Sequence, residues 1–159
     1  MSRFVKFLVL LLVTLLIVSC KSSPLSSVSV SPEKVLHGQV IDVLDGDTVK
    51  LRSDWHIYKI RLAGIDAPEK QQAYGVQSKI YLEHLIADKD VSIKVLSCDQ
   101  YGRYVGKIYL NGKDINGEMI RSGYAWHYNH FDSNPVYAGF MLDAQRSNLS
   151  LIHISEPTR

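Results

Sequence analysis

The sequence predicts a mainly β, α+β domain: a five-stranded barrel in Greek-key order with about three helices packed on it. Three observations carry that expectation. Short apolar runs are separated by turn residues, as in an all-β framework. Helical spacing is confined to segments that lie between and after those runs. The chain has 159 residues, of which about 140 follow an N-terminal targeting segment, enough for one core and too few for two ordinary domains.

The elements follow in order. Residues 35–43 alternate in polarity and lead to a turn at Asp45-Gly46. Residues 48–52 form a second strand, with a turn at Ser53-Asp54, and residues 55–62 a third, with Trp55 packing at its end. Residues 63–72 contain Gly64 and Pro68 and read as loop. Residues 73–87 place Val76, Ile80, Leu82, Leu85 and Ile86 near helical spacing. Residues 91–96 and 105–110 are strands joined by a polar segment, and Asn111-Gly112 is another turn. Residues 114–121 read as a short helix ended by Gly123, and residues 134–148 as a last helix with Pro135 in its first turn. This order fits an OB-like barrel spanning residues 34–148.

Composition narrows the function classes. The net charge is +2, but Arg3 and Lys6 are the only charges before Cys20, so the chain beyond residue 19 is neutral. A neutral domain does not hold nucleic acid by bulk charge, so any polyanion is to be met in a focused cleft and not on a broad basic face. Two cysteines exclude a disulfide-dense scaffold, and the low charge bias argues against disorder.

Residues 1–19 read as a secretory signal: a basic start, twelve nearly all-apolar residues (7–18), then Ser19. A membrane-spanning helix needs about 20 apolar residues, and Lys21 interrupts the run. Ile17-Val18-Ser19-Cys20 resembles a bacterial lipobox, which makes Cys20 a lipid attachment point. The expected location is the cell envelope, anchored outside the cytoplasm, or secreted if Cys20 is not acylated. Residues 20–33 are Ser-rich with two prolines and read as a flexible tether. Residues 149–159 (LSLIHISEPTR) have no clear partner in the expected fold and read as a spurious end to a truncated reading frame.

Three short segments carry chemistry. They are Asp45-Gly46-Asp47-Thr48, the run from Arg61 through Asp66-Ala67-Pro68-Glu69, and Asp99-Gln100-Tyr101-Gly102-Arg103. Each sets charged groups where a strand meets a loop. Taken singly, Asp-Gly-Asp is mostly a turn and an Arg near an Asp mostly a surface ion pair. Together, Asp47, Asp66 and Glu69 offer oxygens to a hard cation such as Ca²⁺, and Arg61 and Arg103 offer guanidinium forks to a phosphate. These are the parts of metal-assisted phosphodiester cleavage. Tyr101 and Tyr128 are candidates to pack on a nucleotide. His127 and His130 are a weak transition-metal pair, lacking a third close ligand.

The segments DGDTVKLR, IRLAGIDAPE and DQYGRYVGKIYLNGKDIN resemble the staphylococcal nuclease (thermonuclease) family, over residues 35–148. The resemblance implies a five-stranded OB barrel with three helices and Ca²⁺-dependent hydrolysis of DNA and RNA to 3′-phosphate ends. It implies that Asp47, Asp66 and the backbone carbonyl of Ala67 hold the metal, with Asp45 supporting them. Ala67 stands where the archetype has Thr, a change that a carbonyl ligand tolerates. Glu69 matches the glutamate that orients or deprotonates water, and Arg61 and Arg103 match the phosphate-binding arginines. A monomer is expected. The alternative is a non-catalytic OB-fold nucleic-acid-binding envelope lipoprotein, whose signature is loss of the carboxylates or arginines; here all five positions are intact.

Overall fold

A computed structural model of the chain describes residues 34–130, 132–147 and 149. The targeting segment, the tether and the tail from residue 150 onward lie outside these residues.

Among the described residues, eight strands and three helices follow in chain order. They are β1 (Val35–Asp45), β2 (Thr48–Ser53), β3 (His56–Leu62), β4 (Ile65–Asp66), α1 (Gly75–Ile86), β5 (Asp90–Cys98), β6 (Tyr104–Leu110), β7 (Lys113–Asp114), α2 (Ile115–Arg121), β8 (Trp126–His127) and α3 (Pro135–Arg146). No helix among the described residues is long and apolar enough to cross a membrane.

Five strands close a barrel. β1 is long enough to pair twice: its first half lies antiparallel to β5 and its second half to β2. Register shifts at Val40/Asp42 and Val43/Asp45 bend it between the two partners, as bulges do. β2 and β3 form an antiparallel hairpin, and β5 and β6 another. The circuit closes where β3 runs parallel to β6, pairing Ile60 with Tyr104, Arg61 with Val105 and Leu62 with Gly106. The expected five-stranded OB barrel with three helices is therefore the architecture observed.

The interior follows the period of two. Val40, Val43, Val49, Leu51, Ile60, Leu62, Ile93 and Ile108 point inward, and each is 2% exposed or less. Removal of such side chains from water is the main favourable term in folding, worth about 1.5–3 kcal/mol for each fully buried large one. α2 and α3 pack on each other; α2 reaches the barrel at β6, and α3 lies against β8. Asp114 caps α2 by accepting from the Gly117 N–H, and its other carboxylate oxygen accepts from the Tyr137 hydroxyl on α3.

Three expectations need correction. α1 does not bury Val76 or Ile80, which are 46% and 55% exposed. Its inner face is Gly75, Ser78, Leu82 and Ile86, because Ser78 donates to the Tyr124 carbonyl at 2.6 Å and so can be buried at little cost. Trp55 does not pack at the strand end. It sits at the tip of the β2–β3 turn, where Asp54 takes a positive φ of 50°, and is fully exposed. The segment after Leu62 is not all loop. Ile65–Asp66 pairs antiparallel with Trp126–His127, a two-residue ribbon too short to leave a periodic pattern.

One buried side chain secures the parallel seam. Asn116 of α2 is fully buried, accepts from the Ile108 N–H at 3.0 Å, and donates to the carbonyls of Ala63 (2.9 Å) and Gly106 (3.2 Å). Truncation takes the Asn116 partner from the Ile108 N–H and the Ala63 carbonyl, each unpaired buried group costing about 1–3 kcal/mol. Asn116→Ala is expected to lower unfolding free energy by about 2–4 kcal/mol in urea titration. A midpoint equal to that of the parent protein would refute this role.

Candidate active site

The site is built on the ends of strands brought together by the closure. Asp45 ends β1, Asp47 lies in the turn to β2, Arg61 is on β3, and Asp66 is on β4. Asp45 Oδ1 accepts from the Asp47 N–H at 3.0 Å and fixes the turn. Asp47 accepts from the Thr48 hydroxyl at 3.0 Å and, through Oδ2, from the Ala67 N–H at 2.9 Å. The last bond ties the first segment to the second across twenty residues of sequence.

Arg61 joins the two carboxylates. Its Nη1 lies 3.0 Å from Asp47 Oδ2 and its Nη2 3.0 Å from Asp66 Oδ1. Nη1 also donates to the carbonyls of Leu62 (3.0 Å) and Ile65 (2.9 Å). Nε makes no hydrogen bond among the described residues, so the fork keeps a donor for a ligand. Burial pushes the Asp47 carboxyl up, to about 7; the Arg61 charge pulls it down, the neighbouring Asp45 charge pushes it up again, and the Ala67 N–H pulls it down.

Arg103 reaches the same place by a different route. Because β3 and β6 are parallel and in register at Arg61–Val105, the loop before β6 lies beside Arg61. Asp99 accepts from the N–H groups of Tyr101 and Arg103 through Oδ1, each at 2.9 Å, and from Arg103 Nε through Oδ2 at 2.7 Å. Burial opposes ionisation of Asp99, but the hydrogen bonds from Arg103 and Tyr101 outweigh it and hold the carboxyl below its usual range. The Arg103 guanidinium lies 5.5 Å from the centre of the Tyr101 ring.

Arg61 and Arg103 open on a cleft of about 1080 Å³, which Tyr101 and Tyr128 also line. Tyr101 is 74% exposed, so its ring face is presented to solvent. The cleft wall carries Lys94 and Lys107 as well, against the acids Asp99 and Asp132. Four basic side chains thus share one groove, with Arg61 paired to Asp47 and Asp66, Arg103 to Asp99, and Lys107 to Asp132.

Glu69 stands apart from this lining. It is exposed on the loop beyond Pro68, and its backbone N–H and carbonyl are both tied to Gln72. His127 is buried edge-on against Tyr137, 5.9 Å between ring centres, and His130 lies 6.5 Å from Tyr128. Cys98 is exposed and not in a disulfide, while Cys20 lies outside the described residues.

No group of three or more His, Cys, Asp or Glu is disposed to hold a metal among the described residues. The three carboxylates Asp47, Asp66 and Glu69 are therefore not gathered as one such group, whereas the set that the resemblance implies has two, Asp47 and Asp66, with a backbone carbonyl. Both carboxylates lie within 3.0 Å of one guanidinium, so a single small volume receives two anionic oxygens. All-oxygen donors of this kind fit a hard divalent cation.

Sequence reasoning missed Lys94, Lys107 and Asp132. Lys94 and Lys107 are register partners on β5 and β6, and the alternation with inward Ile93 and Ile108 marks them as outward-facing. Asp132 had no such signal. Its Oδ2 lies 3.6 Å from Lys107 Nζ and against Gly64, where a Cβ would come within 2.3 Å of it. Gly64 also has a φ of +73°, so two independent constraints exclude larger residues there.

Residues 59–150 match the family described as staphylococcal nuclease homologue. A protein of Escherichia coli O157:H7 named an uncharacterized endonuclease is 37% identical over 123 residues, 77% of this chain and 80% of that one. A protein of Haemophilus influenzae with the same name is 37% identical over 114 residues, 71% of this chain and 64% of its own length. A probable staphylococcal-like nuclease of Oryza sativa subsp. japonica is 41% identical over 102 residues, 64% of this chain and 28% of that protein.

The turn that carries Asp47 has no room to change. A Cβ on Gly46 would lie 1.9 Å from Ser78 Oγ and 2.7 Å from the Ala67 Cβ. Gly46→Ala is expected to cost about 1–3 kcal/mol, read as a lower urea midpoint at unchanged slope. An unshifted midpoint would show that the turn and α1 are not in the contact described.

Proposed function

This chain belongs to the staphylococcal nuclease homologue family and is a nuclease of the hydrolase class; on that premise we propose that it hydrolyses DNA and RNA phosphodiester bonds in a Ca²⁺-dependent way, with low sequence specificity, leaving 3′-phosphate ends. One observation carries the proposal: Arg61 bridges Asp47 and Asp66 while opening, with Arg103, on a cleft lined by exposed aromatic rings. A purely structural barrel has no need for buried carboxylates and an arginine at the wall of an open groove.

The roles follow from the groups. Arg61 and Arg103 hold the scissile phosphate and meet the negative charge that grows on its oxygens during attack. Glu69, exposed on the loop beyond Pro68, takes the proton from the attacking water. Asp47, Asp66 and the Ala67 carbonyl would hold Ca²⁺, with Asp45 fixing the Asp47 turn. When bound, the cation supplies Lewis-acid charge to the phosphodiester. Tyr101 and Tyr128 give stacking surfaces that accept any base, which suits a nuclease of low specificity.

Purified protein is expected to cleave single-stranded DNA with Ca²⁺ and to stop when a chelator is added. Arg61→Ala, Glu69→Gln and Arg103→Ala are each expected to lower turnover by at least about 10². Glu69→Gln is the cleanest of the three, since an exposed side chain can be changed without disturbing the fold. Folded wild-type protein that binds DNA with Ca²⁺ and leaves it intact would make the domain a binding module instead.

We further infer that the protein acts as a monomer in the cell envelope, held outside the cytoplasm by a lipid on Cys20 and spaced from the membrane by residues 21–33. The support is the order of basic start, apolar run and IVSC in residues 1–20. Cys20→Ser is expected to move the protein from the membrane to the soluble fraction on cell fractionation. Unchanged membrane retention would overturn the anchor.

A further inference from the structure

We propose that Asp99 is a positioning residue for the nuclease reaction, holding the Arg103 guanidinium so that its Nη groups face the scissile phosphate. The proposal rests on the active-site role given to Arg103 above and assigns a task to a carboxylate that neither the metal set nor the proton transfer uses.

The geometry is specific. Asp99 and Arg103 bracket a tight loop in which the Asp99 N–H donates to the Arg103 carbonyl at 2.9 Å and Gly102 N–H to the Asp99 carbonyl at 3.0 Å. Gly102 turns the chain with a φ of +75°. Inside that loop the two oxygens of Asp99 do different work. Oδ1 accepts the two backbone N–H groups and shapes the turn, while Oδ2 accepts only Arg103 Nε, at 2.7 Å. That distance is at the short, charge-assisted end of the range for such a bond.

An arginine presents its donors as a rigid planar fork, so fixing Nε fixes the direction of both Nη groups. An arginine held only by its own stem would sample many rotamers and would have to be ordered at each turnover. The ring of Tyr101, 5.5 Å from the guanidinium, gives a second surface against the same group. The ion pair is only partly screened, since the side chains of Arg103 and Asp99 are 24% and 20% exposed. Both residues line the cleft that Arg61 lines.

The two oxygens can be separated by experiment. In Asp99→Asn the amide oxygen still accepts the backbone N–H groups, but the amide nitrogen faces Arg103 Nε and cannot accept from it. Asp99→Asn is therefore expected to keep the turn and the melting temperature while lowering kcat about 10- to 100-fold on single-stranded DNA, with KM changed less than about threefold. In an Arg103→Ala background the same change is expected to alter kcat by less than about twofold, because the group it positions is gone. Equal losses in both backgrounds would mean that Asp99 serves only the loop fold and would overturn the proposal. Full activity of Asp99→Asn beside a disabled Arg103→Ala would do the same. If Arg103→Ala were itself fully active, both the role of Arg103 and this inference would fall. A readout independent of cleavage separates the two. The Arg103 Nε–H is expected as a slowly exchanging NMR signal in the wild-type protein that disappears in Asp99→Asn, and no such signal in the wild type would refute the pairing itself.

Discussion

The parallel seam between β3 and β6 is the contact on which the cleft depends. Every other pairing in the barrel is antiparallel and joins strands that follow one another or are linked through β1. The seam alone sets Arg61 beside the loop that ends in Arg103, and so turns two distant segments into one groove. It also closes far more chain than either hairpin does, so loop-closure entropy opposes it more than the hairpins. The buried amide of Asn116 answers that cost by bonding to backbone groups on both sides of the seam. A helix that looks peripheral in sequence thus holds the site together from behind.

Arg61 is both strut and ligand. Two buried carboxylates this close would repel each other without a cation between them. The guanidinium supplies that charge while the protein folds, and its planar fork does so with donors left for a substrate. A lysine would offer a point charge to one carboxylate at a time. The requirement for arginine therefore comes first from the architecture, before any substrate is considered.

Much of this was legible in the sequence. The five barrel strands, the turns at Asp54 and Asn111, and the helices led by Asp114 and Asn134 all announce themselves through polarity period and capping residues. The charged segments were legible as motifs because their residue types and order are specific. What stayed hidden depends on partners distant in the chain. Ser78 is buried because the Tyr124 carbonyl accepts from it, so the inner face of α1 keeps Leu82 and Ile86 of the apolar spacing but replaces Val76 and Ile80 with Gly75 and Ser78. β4 and β8 are two residues each and have no period to detect. Asp132 belongs to no motif, since its place is set by Lys107 and by the bare backbone of Gly64, both distant in the chain.

The two tryptophans occupy opposite environments. Trp55 is fully in water at a hairpin tip, while Trp126 is buried and pairs directly with Asp66 in the short ribbon. Indole emission moves to the blue and gains intensity when the ring leaves water. The protein thus carries its own optical probe: Trp55 contributes a constant red-shifted background, and any change in the blue component comes from β8, the strand paired with the one that holds Asp66. Opening of the ribbon can be followed in solution by fluorescence alone, without a label and without a substrate.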